Sequence, residues 1–154
     1  MTLEKDLNQT KFRNEHQKAT VNIIFTNNWI MERINKLFDQ EGITSQQYNI
    51  LRILRGAGTP LSTSQIRERM LDKMSDSSRI VDRLVIKGMV KKTECKTDKR
   101  LVDVIITARG LKLLEKIDAY NKKVDGIMMN LSETEARKLN NLLDKIRDPD
   151  LTDL

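Results

Sequence analysis

The reading of the fold turns on residues 66–110, IRERMLDKMSDSSRIVDRLVIKGMVKKTECKTDKRLVDVIITARG. The stretch reads as a short helix, a turn, a second helix, a tight charged hairpin and the opening of a further helix. In the first helix Ile66 and Met70 face inward, while Arg67, Glu68 and Arg69 face water. The second helix begins within residues 73–75 and ends at Gly88. Ile80, Val81, Leu84 and Val85 form its apolar arc at helical spacing. Ser75, Arg79 and Asp82 lie opposite, with Arg83 at the edge. Ser77 falls on the apolar arc, which makes it a poor candidate for reading bases. Residues 89–95 and 101–106 read as two strands around the turn Lys96-Thr97-Asp98-Lys99-Arg100. This is the order of parts of a winged helix-turn-helix, in which one helix enters the DNA major groove and a charged wing reaches the backbone or minor groove beside it.

Outward from this stretch the chain is helical. Upstream, Ser62-Thr63-Ser64-Gln65 and Thr44-Ser45-Gln46-Gln47 are capping boxes, where a hydroxyl and an amide satisfy the orphan amides of a helix start. Tyr48, Leu51 and Leu54 follow the earlier box on one face. Residues 11–40 carry Ile23, Ile30, Ile34 and Leu37 at helical spacing, and Gly42 follows as a stop. Downstream, Thr107 is the expected N-cap, and Leu113, Leu114, Ile117, Tyr120, Val124, Ile127 and Met128 continue one stripe. A third box, Ser132-Glu133-Thr134-Glu135, opens a last helix with Leu139, Leu142, Leu143 and Ile146 on one face, ended by Pro149. The fold class is therefore mainly α with a small β-hairpin wing. Residues 44–114 form the winged lobe of a single domain over residues 1–154. Terminal helices at 11–41 and 115–147 carry wide apolar stripes with no obvious intrachain cover, which points to a dimer.

The bulk numbers narrow the class. Charged residues make up 32% of the 154 and aromatics 4%, a balance that suits a helix-rich protein. Lys and Arg outnumber Asp and Glu by 28 to 22, for a net charge of +6, which suits a polyanionic partner. No apolar run approaches the roughly 20 residues of a membrane span, so no membrane partner is expected. A single cysteine, Cys95, excludes an internal disulfide and any multi-cysteine metal site, and a reducing cytoplasm is the expected location. His16 is alone, so no metal is expected. Neither a phosphate-cradling glycine loop nor a nucleophile–histidine arrangement is present, so an enzyme is not expected, nor is a cofactor.

At this point the chain resembles the MarR family of bacterial winged-helix transcription regulators. The residues that carry the resemblance are Tyr48-Asn49-Ile50-Leu51-Arg52-Ile53-Leu54, Leu61-Ser62 leading to Ile66, Arg79-Ile80-Val81-Asp82-Arg83-Leu84 with Gly88-Met89-Val90, Asp98-Lys99-Arg100, and Ile106-Thr107-Ala108-Arg109-Gly110. The resemblance implies a homodimer of first and last helices with a winged lobe on each side. Such proteins commonly repress promoters and leave DNA when a small ligand binds between dimer part and lobe, or when a cysteine is oxidised. Arg79 matches the arginine of the family's recognition helix and Ser78 the hydroxyl residue before it. Asp98 and Arg100 match the pair that braces the wing, with Lys99 at the tip. Leu71 and Lys73 depart from the glycine and small polar cap often found before that helix. The cysteine of the peroxide-sensing branch is absent from the first helix.

The expected double-stranded DNA contacts are Ser62, Ser64, Ser75, Asp76, Ser78, Arg79, Arg83, Lys96, Lys99 and Arg100. Each basic group also has a plain reading, as a solvated helix face or a hairpin kept soluble and protected from edge pairing. Trp29, Arg33, Tyr48 and Arg52 fall on the first two helices, where the family's pocket lies, and would suit a small aromatic or anionic effector. The same four residues also read as core packing plus surface charge. Two alternatives stay open: a winged-helix protein-interaction module without operator specificity, and a thiol-based regulator acting through Cys95, with Lys96 beside it favouring the thiolate.

Overall fold

Hydroxyl side chains start the helices where the sequence places them. In the computed structural model, which describes residues 2–94 and 102–148, the Thr44 hydroxyl accepts from the Gln47 amide at 3.1 Å and the Gln47 side chain accepts from the Thr44 amide at 3.2 Å. Ser62 and Gln65 repeat the exchange at 3.2 and 2.9 Å, and Ser132 and Glu135 at 3.3 and 2.8 Å. Each such cap contributes about 1 kcal/mol. They open α3 (Ser45–Ala57), α4 (Thr63–Arg69) and α8 (Glu133–Ile146). Thr107 accepts from the Gly110 amide at 3.2 Å, as expected of an N-cap, and donates to the Gly88 carbonyl at 2.7 Å.

Before α3 come α1 (Leu3–Asp6) and the long α2 (Glu15–Asp39), whose N-cap is Asn14. The helix expected over 11–41 thus begins at Glu15 and ends at Asp39. After α4 come α5 (Ser77–Ile86), β2 (Val90–Glu94), β3 (Val102–Ile106) and α6 (Ala108–Asp118). A two-residue strand β1 (Leu61–Ser62) pairs antiparallel with β3 through Leu61 and Val104, giving a sheet of order β1-β3-β2. In the hairpin Val90 faces Ile106 and Glu94 faces Val102. Cys95, Lys96, Asp98, Lys99 and Arg100 lie outside the described residues, as does Pro149.

Two expectations are corrected. The recognition helix does not begin within 73–75 but at Ser77, with Asp76 as N-cap. The Asp72 carboxylate accepts from the Met74 amide at 3.0 Å and so holds residues 72–75 in a turn. The stripe from Leu113 to Met128 is not one helix either. α6 stops at Asp118, where Arg55 of α3 grips the carboxylate in a two-pronged pair of 2.7 and 3.2 Å, and that pair holds the carboxyl below its ordinary value. A short α7 (Asn121–Asp125) and a 3-10 turn (Gly126–Met128) follow.

The chain divides into two units, Met1–Asp118 and Ala119–Leu154. In the first unit α3 is the central rod. Its Ile50, Leu51 and Leu54 are buried with Ile66 and Met70 at the α4 end, Ile80, Val81 and Leu84 of α5, Val90 and Val104 of the sheet, and Leu114 and Ile117 of α6. Gly110 marks the tightest approach. A Cβ there would run into the Met89 carbonyl and stand 2.8 Å from Ile106 Cγ1. In the second unit no described residue of α7, the 3-10 turn or α8 is buried.

Ser77 packs with the core, as its place on the apolar arc requires. It is 3% exposed and its hydroxyl has no hydrogen-bond partner. A buried, unpaired hydroxyl costs about 1–3 kcal/mol of desolvation. Ser77→Ala is therefore expected to stabilise the protein by about 1 kcal/mol, read as a higher midpoint in urea unfolding. A lower midpoint would mean that the hydroxyl has a partner in solution.

Candidate nucleic-acid interface

Burying one arc of a ten-residue helix displays the other. Ile80, Val81 and Leu84 of α5 point into the core, so Ser78, Arg79 and Arg83 point to water. Arg79 and Arg83 stand four residues apart and share a face. The Arg79 side chain is 82% exposed, and its Nε lies 3.2 Å from Asp76 Oδ2. The other Asp76 oxygen accepts from the Arg79 amide at 3.2 Å. Asp76 therefore caps the helix and steadies the guanidinium together. An ion pair this exposed is worth only about 0–1 kcal/mol, so a stronger anion displaces it. Asp82 pairs with Lys92 of β2 at 2.6 Å, which offsets a carboxylate that would otherwise repel phosphate from this surface.

The edge of α4 continues the face. A groove of about 420 Å³ runs between Thr63, Ser64 and Arg67 on one side and Met74, Asp76 and Ser78 on the other. Ser64, Asp76, Ser78, Arg79 and Arg83 thus stand exposed on one contiguous edge, with Ser62, half-buried, at the start of α4. Ser62 spends its hydroxyl on the cap of α4. Ser75 also lines the groove but is 9% exposed, and its hydroxyl donates to the Asp72 carbonyl at 2.7 Å, which builds the turn. Thr63, Arg67 and Met74 were not foreseen as part of this groove. Arg67 was legible as a water-facing residue one turn after Ser64, but nothing local tied α4 to the start of α5.

Both ends of α5 are anchored to α3 and its approach. At the N-terminal end Asp72 accepts from the Gln46 side chain at 3.0 Å and from the Met74 amide. At the C-terminal end the Lys87 ammonium donates to the Gly42 carbonyl and, at 3.2 Å, to Gln47 Oε1. A second groove, of about 400 Å³, lies behind the turn between Asn27 and Met31 of α2, Gln46 and Asn49 of α3, and Leu71 and Asp72.

The four residues expected around an effector fall into two local groups. Arg33 lies 3.4 Å over the Trp29 ring and donates to the Trp29 carbonyl, whereas Tyr48 stacks on Phe38 with centroids 4.4 Å apart. Arg52 stands 5.9 Å from the Tyr48 ring. The groove that Trp29 does line, with Leu3, Glu4, Lys18 and Phe25, contains none of the other three. Within the chain these side chains make i,i+4 pairs and a ring stack. Among the described residues no group of His, Cys, Asp and Glu could hold a metal, and no helix is long and apolar enough to cross a membrane.

Comparison with known proteins agrees with this geometry. The model of the MarR family matches residues 41–101, from the turn before α3 into the wing. The chain is 26% identical over 132 residues to the HTH-type transcriptional regulator FarR of Neisseria gonorrhoeae, covering 85% of this chain and 90% of that protein. It is 26% identical over 116 residues to the regulator PecS of Dickeya dadantii, covering 73% and 70%. Over its winged lobe the chain is similar to the MarR family. Its fold also matches a mutant MarR from E. coli in complex with operator DNA, with a TM-score of 0.79 at 24% identity over 89% of this chain and 99% of the other. Both relatives are transcriptional regulators.

If Asp72 sets the start of α5, its loss is felt in the turn first. Asp72→Ala is expected to cost about 1 kcal/mol of stability and to speed hydrogen exchange at the Met74 and Arg79 amides, with α6 unchanged. Unchanged exchange at both amides would remove Asp72 from this role.

Proposed function

We propose that this protein is a MarR-family regulator, a homodimeric, sequence-specific repressor that binds palindromic operators and is released by a small ligand. The observation that carries the reading is the exposed, anchored edge of Ser64, Ser78, Arg79 and Arg83. It sets arginine forks and hydroxyls on a helix of the right size for the major groove, with bases read by Arg79 and phosphates held by the rest. Lys96, Lys99 and Arg100, expected contacts by sequence, lie outside the described residues.

Dimerisation is supported by apolar faces left uncovered. In α2, Ile23 and Ile24 are 41% and 57% exposed, and in α8, Leu142 and Ile146 are 61% and 57% exposed. A two-fold dimer would cover such faces and set two recognition helices against a palindrome. The groove behind the turn supports release. A small ligand seated among Asn27, Met31 and Gln46 would bear on the Gln46–Asp72 bond that fixes the start of α5.

The test is selection from duplexes with random centres at two salt concentrations, with sedimentation of the protein alone. Recovery of a two-fold site and a sedimenting dimer is expected. Arg79→Ala should then weaken binding by about 1–3 kcal/mol, with the loss concentrated at one base pair per half-site. A monomer, or binding that is unselective and collapses with salt, would overturn the reading and favour an interaction module.

A further inference from the structure

The turn between α4 and α5 is polar and firmly bonded, yet it displays two large apolar side chains. Leu71 is 84% exposed and Met74 is 92% exposed. Met74 has a local frame. The Met74 amide is held by Asp72, and the next residue, Ser75, is anchored to the Asp72 carbonyl. The two side chains belong to opposite grooves. Leu71 lines the one behind the turn, beside Asn27 and Met31, whereas Met74 lines the one in front, beside Ser64, Arg67 and Ser78.

Met74 is thus an apolar group set on an otherwise polar face. It sits two residues before Asp76, the N-cap of the recognition helix. The residues at that end of such a helix are the ones that meet base edges. The major-groove edge of DNA offers one apolar group, the C5 methyl of thymine. A thioether side chain is unbranched and adapts to such a small partner, and burying it against a methyl removes apolar surface of both from water.

We infer that Met74 is a specificity-determining residue that reads a thymine methyl in each operator half-site. The inference rests on the DNA-binding reading above and deepens it. Arg79 recognises a base by hydrogen bonds, and Met74 adds an apolar contact that hydrogen-bonding groups cannot make. Because its side chain is in water in the free protein, it is dispensable for folding.

The experiment uses the full-length protein and the duplex recovered by selection. Each thymine of one half-site, and its symmetry mate, is replaced in turn by deoxyuridine, which removes the methyl group and nothing else. Wild-type protein is expected to lose roughly fourfold in affinity per half-site at one position, the equivalent of one buried methyl. Met74→Ala should bind the thymine duplex with the same loss and no longer distinguish thymine from deoxyuridine at that position, while its unfolding midpoint stays that of the wild type. Arg79→Ala should retain the distinction. The inference is overturned if no thymine responds to the replacement, or if Met74→Ala keeps the wild-type ratio. If the wild-type protein selects no site at all, the DNA-binding reading falls and this inference with it, so the two failures are separable.

Discussion

The burial of Val81 and Leu84 against α3 is the constraint on which the rest depends. A helix as short as α5, Ser77–Ile86, is marginal on its own in water, so its existence and its roll angle both come from tertiary packing. Val81, Leu84, Ile50 and Leu51 are all fully buried in the same core. Rotation of α5 would expose these residues and bury Arg79 or Arg83 without partners. The core therefore decides which side chains face outward, and polar contacts at the two ends decide where the helix starts and stops. Asp72 and Lys87 serve those ends, one through the turn and one through Gly42 and Gln47.

Much of this was legible locally. The capping boxes at Thr44, Ser62 and Ser132 are patterns of a few residues with a single geometric solution, and all three form. The arc of Ile80, Val81 and Leu84 is equally local, and helical spacing alone puts Ser77 on it. The start of α5 was not legible. Ser75, Asp76 and Ser77 are all good capping types, and the choice among them is made by Asp72 and by the burial of Ser75. The break after α6 has no proline or glycine to announce it, and Arg55, far away in sequence, holds the residue where it falls. β1 is two residues long and exists only because Val104 and Asp103 pair with it.

The candidate site divides in the same way. Arg79 and Arg83 could be found from helical spacing alone, because four residues along a helix return to one face. The groove they extend could not, since it joins α4 to a turn whose path depends on side-chain bonds. The four effector residues were chosen by type and helix position, and the contacts within one chain pair some of them with each other, as Arg33 lies over Trp29. The turn of residues 70–76 emerges as the hinge of the molecule's proposed chemistry, with Leu71 behind it and Met74 in front.

The most direct measurement is amide hydrogen exchange of the full-length protein with and without a tightly bound duplex. The greatest protection is expected in the first turn of α4 and through α5, around Ser64, Ser78, Arg79 and Arg83. Protection confined to α8, or spread evenly over the chain with α5 unaffected, would contradict the assignment of that edge as the face that meets DNA.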